Sequence, residues 1–427
     1  LFKVLAGPSN VERGFGQGIK KEKQIGSRRE MKARILVTDG QPRMTLAVVR
    51  SLGKKGLEVL AAEKTRFAPA LYSKYCSRSL VYPDPKKYPG EFFNWLVESL
   101  QKYRCDACMP VDDAALEVVM ERREEVEKIC HFVLPPVDSY RIAADKGLSV
   151  LAAQRAGLLC PETVQPNDLE KLDDIIKRLE LPVVIKPRKS SGSRGIKLVK
   201  ERKELAGVYL RVHKEHPYPI IQEYIPPAAK YSVCLLFNKS SQLRASFVQR
   251  QIRHYPVDIG TSVVQESVFF PELVEQGLKL LKDLNWTGIA ELEFLVDKQG
   301  KAYFMEINPR FWGSLHLAVI AGVDFPWLLY KLAVEGDAEE VNSYKQGIKC
   351  RWLLPGDILH FITNKDRLKM DPPFLAGKKR DVYDDILSLD DPLPALGFLL
   401  ACFRYLLDRE MWRFVLKGDY FEKYTDS

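Results

Sequence analysis

Three carboxylates and an amide at strand spacing are the residues in this chain best placed to do chemistry. Gly288-Ile289-Ala290-Glu291-Leu292-Glu293-Phe294 and Ala302-Tyr303-Phe304-Met305-Glu306-Ile307-Asn308-Pro309-Arg310 flank the turn Asp297-Lys298-Gln299-Gly300, and the whole reads as a β-hairpin. A strand's period of two puts Glu291 and Glu293 on one face, and Glu306 and Asn308 on one face of the neighbouring strand. A turn with two central residues, Lys298 and Gln299, sets Glu291 opposite Glu306 and Glu293 opposite Phe304, so all four oxygen-bearing side chains share a surface. Like charges facing each other across a ladder destabilise it. A bound divalent cation compensates them, and magnesium, which takes few carboxylates plus phosphate oxygens, fits the count. The plain alternative is a solvated hairpin face balanced by Lys298 and Lys301.

Two further segments suit a nucleotide. Val184-Ile185-Lys186-Pro187, followed by Ser190-Ser191-Gly192-Ser193-Arg194-Gly195, is a strand that delivers a lysine and then a small flexible loop whose amides can wrap an anion. In isolation, a Ser/Gly hairpin turn with an exposed lysine looks the same. Ile221-Gln222-Glu223-Tyr224-Ile225-Pro226 is an apolar strand ending in an acid, and the unpaired backbone groups of such a strand end can read a planar base.

The elements that must position these residues fall into an ordered series. Residues 33–134 alternate short apolar runs with helical patterns, the signature of a parallel sheet covered by helices. Residues 35–38 and 58–62 read as strands with a helix over 44–52 between them, and the turn Asp39-Gly40-Gln41-Pro42 is not the glycine pattern of a dinucleotide fold. A small α+β unit follows, with helices over 144–155 and 169–179 and strands over 183–186, 196–199 and 220–223. Residues 231–335 turn mostly to strands and end in the hairpin and one helix over 315–333. Beyond Gly336 come Pro-separated segments and an aromatic-rich helix over 394–416. Residues 1–30 carry no periodicity and are expected to be a disordered leader, with Met31 as the natural start.

The formal charge is +9, of which +4 lies in residues 1–30, where seven Lys or Arg face three Glu. The remaining charge suits a phosphate-bearing ligand and does not call for nucleic acid. Of eight cysteines only Cys105 and Cys108 are close, too few for structural zinc. No run approaches the roughly 20 apolar residues of a membrane span. Free thiols without an export signal lead us to expect a cytoplasmic protein.

The ordered set Asp145-Lys146, Lys186, the Gly192 loop, Gln222-Glu223-Tyr224-Ile225, Glu293-Phe294 and Glu306-Ile307-Asn308-Pro309-Arg310 resembles the ATP-grasp superfamily. It is most similar to carboxylate-amine ligases with a carbamoyl-phosphate-synthase-like arrangement. The resemblance implies a preATP-grasp α/β parallel-sheet domain (31–143), a two-lobed ATP-grasp domain (144–335, with lobes about 144–224 and 225–335) and a C-terminal extension (336–427). It implies that Lys146, Lys186 and the loop with Ser191, Gly192, Ser193 and Gly195 hold the ATP phosphates. Glu223, Tyr224 and Ile225 would read adenine, and Glu293, Glu306 and Asn308 would hold magnesium, with manganese as a substitute. Arg310 and Arg250 would neutralise the transferred phosphoryl group, with Arg253 and His254 as weaker candidates. The implied activity is ADP-forming ligation of a small carboxylate to an amine through an acyl phosphate, compatible with a homodimer. A non-catalytic nucleotide-binding scaffold and a bicarbonate-phosphorylating enzyme are the alternatives. Two departures stand out: Pro226-Pro227-Ala228-Ala229 occupies the place of a ribose-binding acid, and Phe311-Trp312-Gly313-Ser314 lacks the Glu-His pairing of biotin-dependent carboxylases.

Overall fold

Buried β-branched and aliphatic runs build the first sheet. In the computed structural model, β1 (Arg34–Val37), β2 (Glu58–Glu63), β3 (Arg78–Val81) and β4 (Ala107–Met109) pair in the order β3-β2-β1-β4, all parallel. Ile35, Leu36 and Val37 have no exposed surface, as expected of a central parallel strand covered on both faces. The strand order reverses between β1 and β4, and the crevice beyond such a switch point is where open α/β sheets place ligands. The Arg43–Lys54 helix starts just past it.

The structure describes residues 32–190, 192, 194–257, 260–376 and 381–406, with side chains to 403. The leader, Ser191, Ser193 and the second half of the expected C-terminal helix lie outside the described residues; that helix is described as Leu393–Leu406.

The small unit is a four-stranded antiparallel sheet, β5 (Thr163–Val164), β6 (Val183–Lys186), β7 (Lys197–Val199) and β8 (Ile220–Glu223), in the order β5-β8-β6-β7. The Leu172–Arg178 and Arg202–Glu215 helices close its core around Ile185, Leu205, Tyr209 and Ile221.

The large sheet has seven strands: β9 (Ala229–Phe237), β10 (Leu243–Tyr255), β11 (Thr261–Val268), β12 (Gly288–Val296), β13 (Ala302–Asn308), β14 (Lys349–Arg351) and β15 (Val382–Asp384). Their order is β13-β12-β9-β10-β11-β14-β15, antiparallel except between β14 and β15. Strand alternation divides the faces. Val233, Leu235, Leu292, Phe294 and Phe304 pack under the Pro271–Asp283 helix, which the sequence reading did not separate from the strands around it. The opposite face presents Glu306, Glu293, Ser232, Gln249 and Ser267 in one row across five strands. Further along the strands the same face turns apolar, and Cys234, Leu236 and Phe247 enter the core shared with the first sheet.

One difference from the sequence reading has a local cause. The single helix expected over 315–333 is two helices, Leu315–Ala321 and Phe325–Val334, bent by 90° at Gly322, whose φ of +117° only glycine adopts readily. The C-terminal extension contributes β14 and β15, which complete the large sheet next to β11. Among the described residues, no single helix is long and apolar enough to cross a membrane.

Candidate active site

The hairpin β12–β13 brings its four polar side chains together, but in a register other than the expected one. Glu291 lies opposite Asn308 and Glu293 opposite Glu306, whereas Phe294 faces Phe304. Two local features shift it. The loop holds three residues, closed by Asp297 and Lys301 with Gly300 at φ +81°, instead of two. That one-residue slip alone would turn Glu306 to the apolar face. A register shift between Glu293 and Phe294, which leaves Met305 as the extra residue, restores the parity. The amide of Asn308 donates to Glu291 Oε2 at 3.2 Å and Glu306 Oε1 at 3.4 Å.

These carboxylates are electrostatically unsettled. Burial pushes the Glu293 carboxyl well above the usual range, and the neighbouring Glu306 and Glu291 add to it. Glu291 rises for the same first reason, burial, moderated by Ser232 and Arg310. Burial also acts on Glu306, but Lys146, Lys186 and Arg310 together hold it below its ordinary value. Among the described residues, no three carboxylates, imidazoles or thiols converge closely enough to hold a metal ion alone. The set that fits magnesium is Glu293, Glu306 and the amide Asn308, with phosphate oxygens completing the shell, and Glu293 is the group that a cation would relieve.

Lysines approach from two sides. Asp145 caps the Lys146–Arg155 helix by accepting from the Gly147 and Leu148 amides, and Arg188 donates to its other oxygen at 2.8 Å. The cap fixes Lys146, whose Nζ reaches Glu306 Oε2 at 2.9 Å and donates to the Ser190 carbonyl at 2.6 Å. Lys186 ends β6 and donates to Gln222 Oε1 at 2.6 Å. Burial, reinforced by Lys146, brings its ammonium down to about 8 despite the pull of Glu306 and Glu293. Gly192 and Gly195 sit at φ +63° and +73°, and a Cβ on Gly195 would meet Pro187 Cγ at 2.8 Å, so the loop conformation requires glycine there.

A nucleotide phosphate binds the charged form of Lys186, so metal-free ATP affinity should fall as pH rises through about 8, the point where the free protein loses that proton. Lys186→Ala should raise the ATP dissociation constant about tenfold and flatten this pH dependence. Calorimetric titration at several pH values measures both, and a wild-type affinity in the variant would remove the phosphate role.

Lys146, Lys186, Gly192, Glu291, Glu293, Glu306 and Asn308 line one cleft of about 260 Å³ between the small and large sheets. Glu223, Tyr224 and Ile225 also line it. The Tyr224 amide already donates to the Pro182 carbonyl, and Glu223 Oε2 accepts from the Glu162 amide at 3.1 Å. Arg310 follows β13 and enters the cleft from the switch point of the first sheet, held by Asp113 at 2.8 Å and by Asp112 at 3.7 Å.

Comparison with known proteins adds independent support. The family model for the ATP-grasp domain matches residues 143–314, the span that contributes most of the cleft wall. Residues 143–314 therefore carry an ATP-grasp domain. D-alanine–D-alanine ligase from Dechloromonas aromatica (strain RCB) is 25% identical over 208 residues, which are 45% of this chain and 67% of that protein. Pyruvate carboxylase from Schizosaccharomyces pombe is 26% identical over 193 residues, 42% of this chain; the match spans only 16% of that much longer protein. The crystal structure of a biotin carboxylase–ATP complex from Campylobacter jejuni shares the fold at a TM-score of 0.63 and 19% identity, over 74% of each chain. These relatives include carboxylases and an amide ligase.

The ATP-grasp cleft gathers Lys146, Lys186, Gly192, Glu223, Tyr224, Ile225, Glu293, Glu306, Asn308 and Arg310. Gly195 stands at the base of the loop, and Ser191 and Ser193 lie outside the described residues. Arg250 is a correction. Strand parity turns it to the face opposite the cleft, where its half-exposed guanidinium pairs with Glu266 at 2.6 Å, while Gln249 and Gln251 face the cleft. Arg253 and His254 are buried against the C-terminal extension: Arg253 donates to the Pro372 carbonyl at 2.9 Å and pairs with Asp357, and burial lowers His254 to about 3, leaving it neutral. Sequence reasoning missed Lys230, Gln251, Gln265 and Arg43, all of which line the cleft. The period-two pattern of β9 and β10 could have found Lys230 and Gln251; nothing local marks Arg43, which begins the helix after β1.

Proposed function

We propose that this chain is an ATP- and magnesium-dependent ligase that joins a carboxylate to an amine through an acyl phosphate. The observation that carries this reading is a cleft whose lining includes, beside the groups a nucleotide needs, the polar side chains of Gln249, Gln265, Ser314 and Arg43. Trp312 of the Phe311-Trp312-Gly313-Ser314 run is buried in the apolar core, so that run supplies no acid-base pair of the carboxylase kind.

Lys146, Lys186 and the loop around Gly192 hold the phosphates, and Glu223 with the Ile225 amide reads the base. Glu293, Glu306 and Asn308 would hold magnesium, whose charge offsets that of the phosphates. The carboxylate oxygen attacks the γ-phosphorus and ADP departs. The amine nitrogen then attacks the acyl carbon, and inorganic phosphate leaves with that oxygen while the amine loses a proton. Arg310 neutralises charge on the transferred group, and no side-chain nucleophile is required.

Heavy-oxygen labelling of the carboxylate tests the pathway. The label is expected in the released phosphate, and finding only solvent oxygen there would rule out the acyl phosphate. The likeness to biotin carboxylase favours one second reading, phosphorylation of bicarbonate. In that case phosphate release needs bicarbonate and proceeds with no other carboxylate.

A further inference from the structure

A hydrogen-bonded chain runs along the cleft floor from the C-terminal extension to the carboxylates of the hairpin, and the ATP chemistry uses none of its inner members. Its first link is His254. The register shift between Gln251 and Arg253 interrupts the alternation of β10, and His254 rather than Arg253 comes to lie against the Gln251 side chain. The His254 ring is buried and neutral, with Nε2 2.9 Å from Gln251 Oε1. Gln251 Nε2 donates to Ser232 Oγ at 3.2 Å. Ser232 has no exposed surface, sits across the ladder from Glu293 and hydrogen-bonds to Glu291, which also accepts from the Asn308 amide at 3.2 Å. The extension holds the other end: His360 Nδ1 donates to the His254 carbonyl at 2.7 Å, and Asn364 Nδ2 donates to His360 Nε2 at 3.1 Å.

The carboxylate end fixes the direction of every link. An ionised carboxylate only accepts, so Glu291 takes the Ser232 proton beside the Asn308 amide hydrogen. Ser232 Oγ then accepts from Gln251, the Gln251 oxygen faces the ring, and neutral His254 carries its one proton on Nε2. The same polarity governs Asn308. Its NH2 is turned to Glu291 and Glu306, so its Oδ1 is directed away from both, the orientation an oxygen ligand needs. The opposite His254 tautomer would flip Gln251, turn the Ser232 proton away from Glu291 and leave that carboxylate one donor short.

We infer that His254 is a positioning residue for the metal site: its Nε2–H sets the direction of the Gln251–Ser232–Glu291 chain, so that Asn308 presents its oxygen rather than its NH2 to a cation. The inference rests on the metal assignment within the ligase reading. His254 touches neither nucleotide nor metal in this role, and acts through the three residues between.

Calorimetric titration of the full chain with a non-hydrolysable ATP analogue, with and without Mn2+, measures the factor by which the metal tightens nucleotide binding. His254→Asn places its amide near the position of ring Nδ1, short of Gln251, whereas His254→Gln carries an N–H donor to the position of Nε2. The Asn variant should lose about tenfold or more of that factor, the scale of losing a group that orients a metal ligand, and bind the metal-free analogue as the wild type does. The Gln variant should keep most of the factor. Ser232→Ala cuts the same chain with a smaller change and should show the same selective loss, and adding His254→Asn to it should cost nothing further. A purely structural role would weaken both titrations alike. That result, equal losses in the Asn and Gln variants, or an additive loss in the double variant overturns the inference and leaves the metal assignment standing. A wild-type chain whose affinity for the analogue does not change with Mn2+ overturns the metal assignment and the inference together.

Discussion

Glu306→Gln is expected to cut magnesium-dependent ATP turnover by at least about a hundredfold, the scale of losing one strong electrostatic contact to the reacting group, without unfolding the chain. Glu306 is the carboxylate at which everything else in the site converges: Lys146 Nζ at 2.9 Å, the Asn308 amide at 3.4 Å, and Glu293 directly across the ladder. Glutamine keeps the shape and removes the charge. Lys146, Lys186 and Arg310 hold the Glu306 carboxyl below its ordinary value, so removing its charge should cost some thermal stability even though repulsion with Glu291 and Glu293 falls. Turnover separates a metal ligand from a structural ion pair, because removing the carboxylate from a purely structural Lys146 pair would lower stability and spare turnover. Turnover and melting temperature measured on one preparation decide it, and normal turnover would remove Glu306 from the metal site.

Much of this site could be read before any coordinates. Lys186 and its loop, the strand ending in Glu223 and the polar face of the hairpin each rest on contiguous residues, and strand parity survives ignorance of the partner strand. Register does not. Pairing Glu291 with Asn308 depends on Gly300 taking a left-handed conformation and on an extra residue at Met305, two one-residue offsets that cancel in parity but move each carboxylate to a different neighbour. Arg250 failed for the reverse reason: a basic residue was chosen by type, although alternation with the buried Gln249 already placed it on the other face. Arg43 and Asp385 were invisible because they lie 342 positions apart and meet only when the first sheet, the large sheet and the extension have assembled.

The C-terminal extension supplies the last prediction. Asp391→Ala should destabilise the chain by about 3–5 kcal/mol, the cost of leaving one member of a buried ion pair alone. Arg50 Nε meets Asp391 Oδ2 at 2.9 Å with both side chains almost wholly buried, and Asp391 also accepts from the Ser73 hydroxyl at 2.7 Å and the Lys74 amide at 2.9 Å. Alanine strands all three donors, although Arg50 keeps its bonds to the Asp385 and Ile386 carbonyls at 3.2 Å and 2.8 Å. The same helix carries Arg43, so loosening the extension at Asp391 should also disturb the Arg43–Asp385 contact and lower turnover with saturating ATP. Asp390→Ala is the internal control. Asp390 pairs with Lys74 at 2.6 Å but is half exposed, and a solvated pair contributes little, so its loss should barely move the denaturation midpoint. Replacing both buried partners, as Arg50→Met with Asp391→Leu, removes the stranded charge and should recover most of the stability lost in Asp391→Ala. Denaturant unfolding of the three variants beside the wild type tests the set, and an Asp391→Ala midpoint equal to that of Asp390→Ala would show that the extension is not held to the first sheet by this pair.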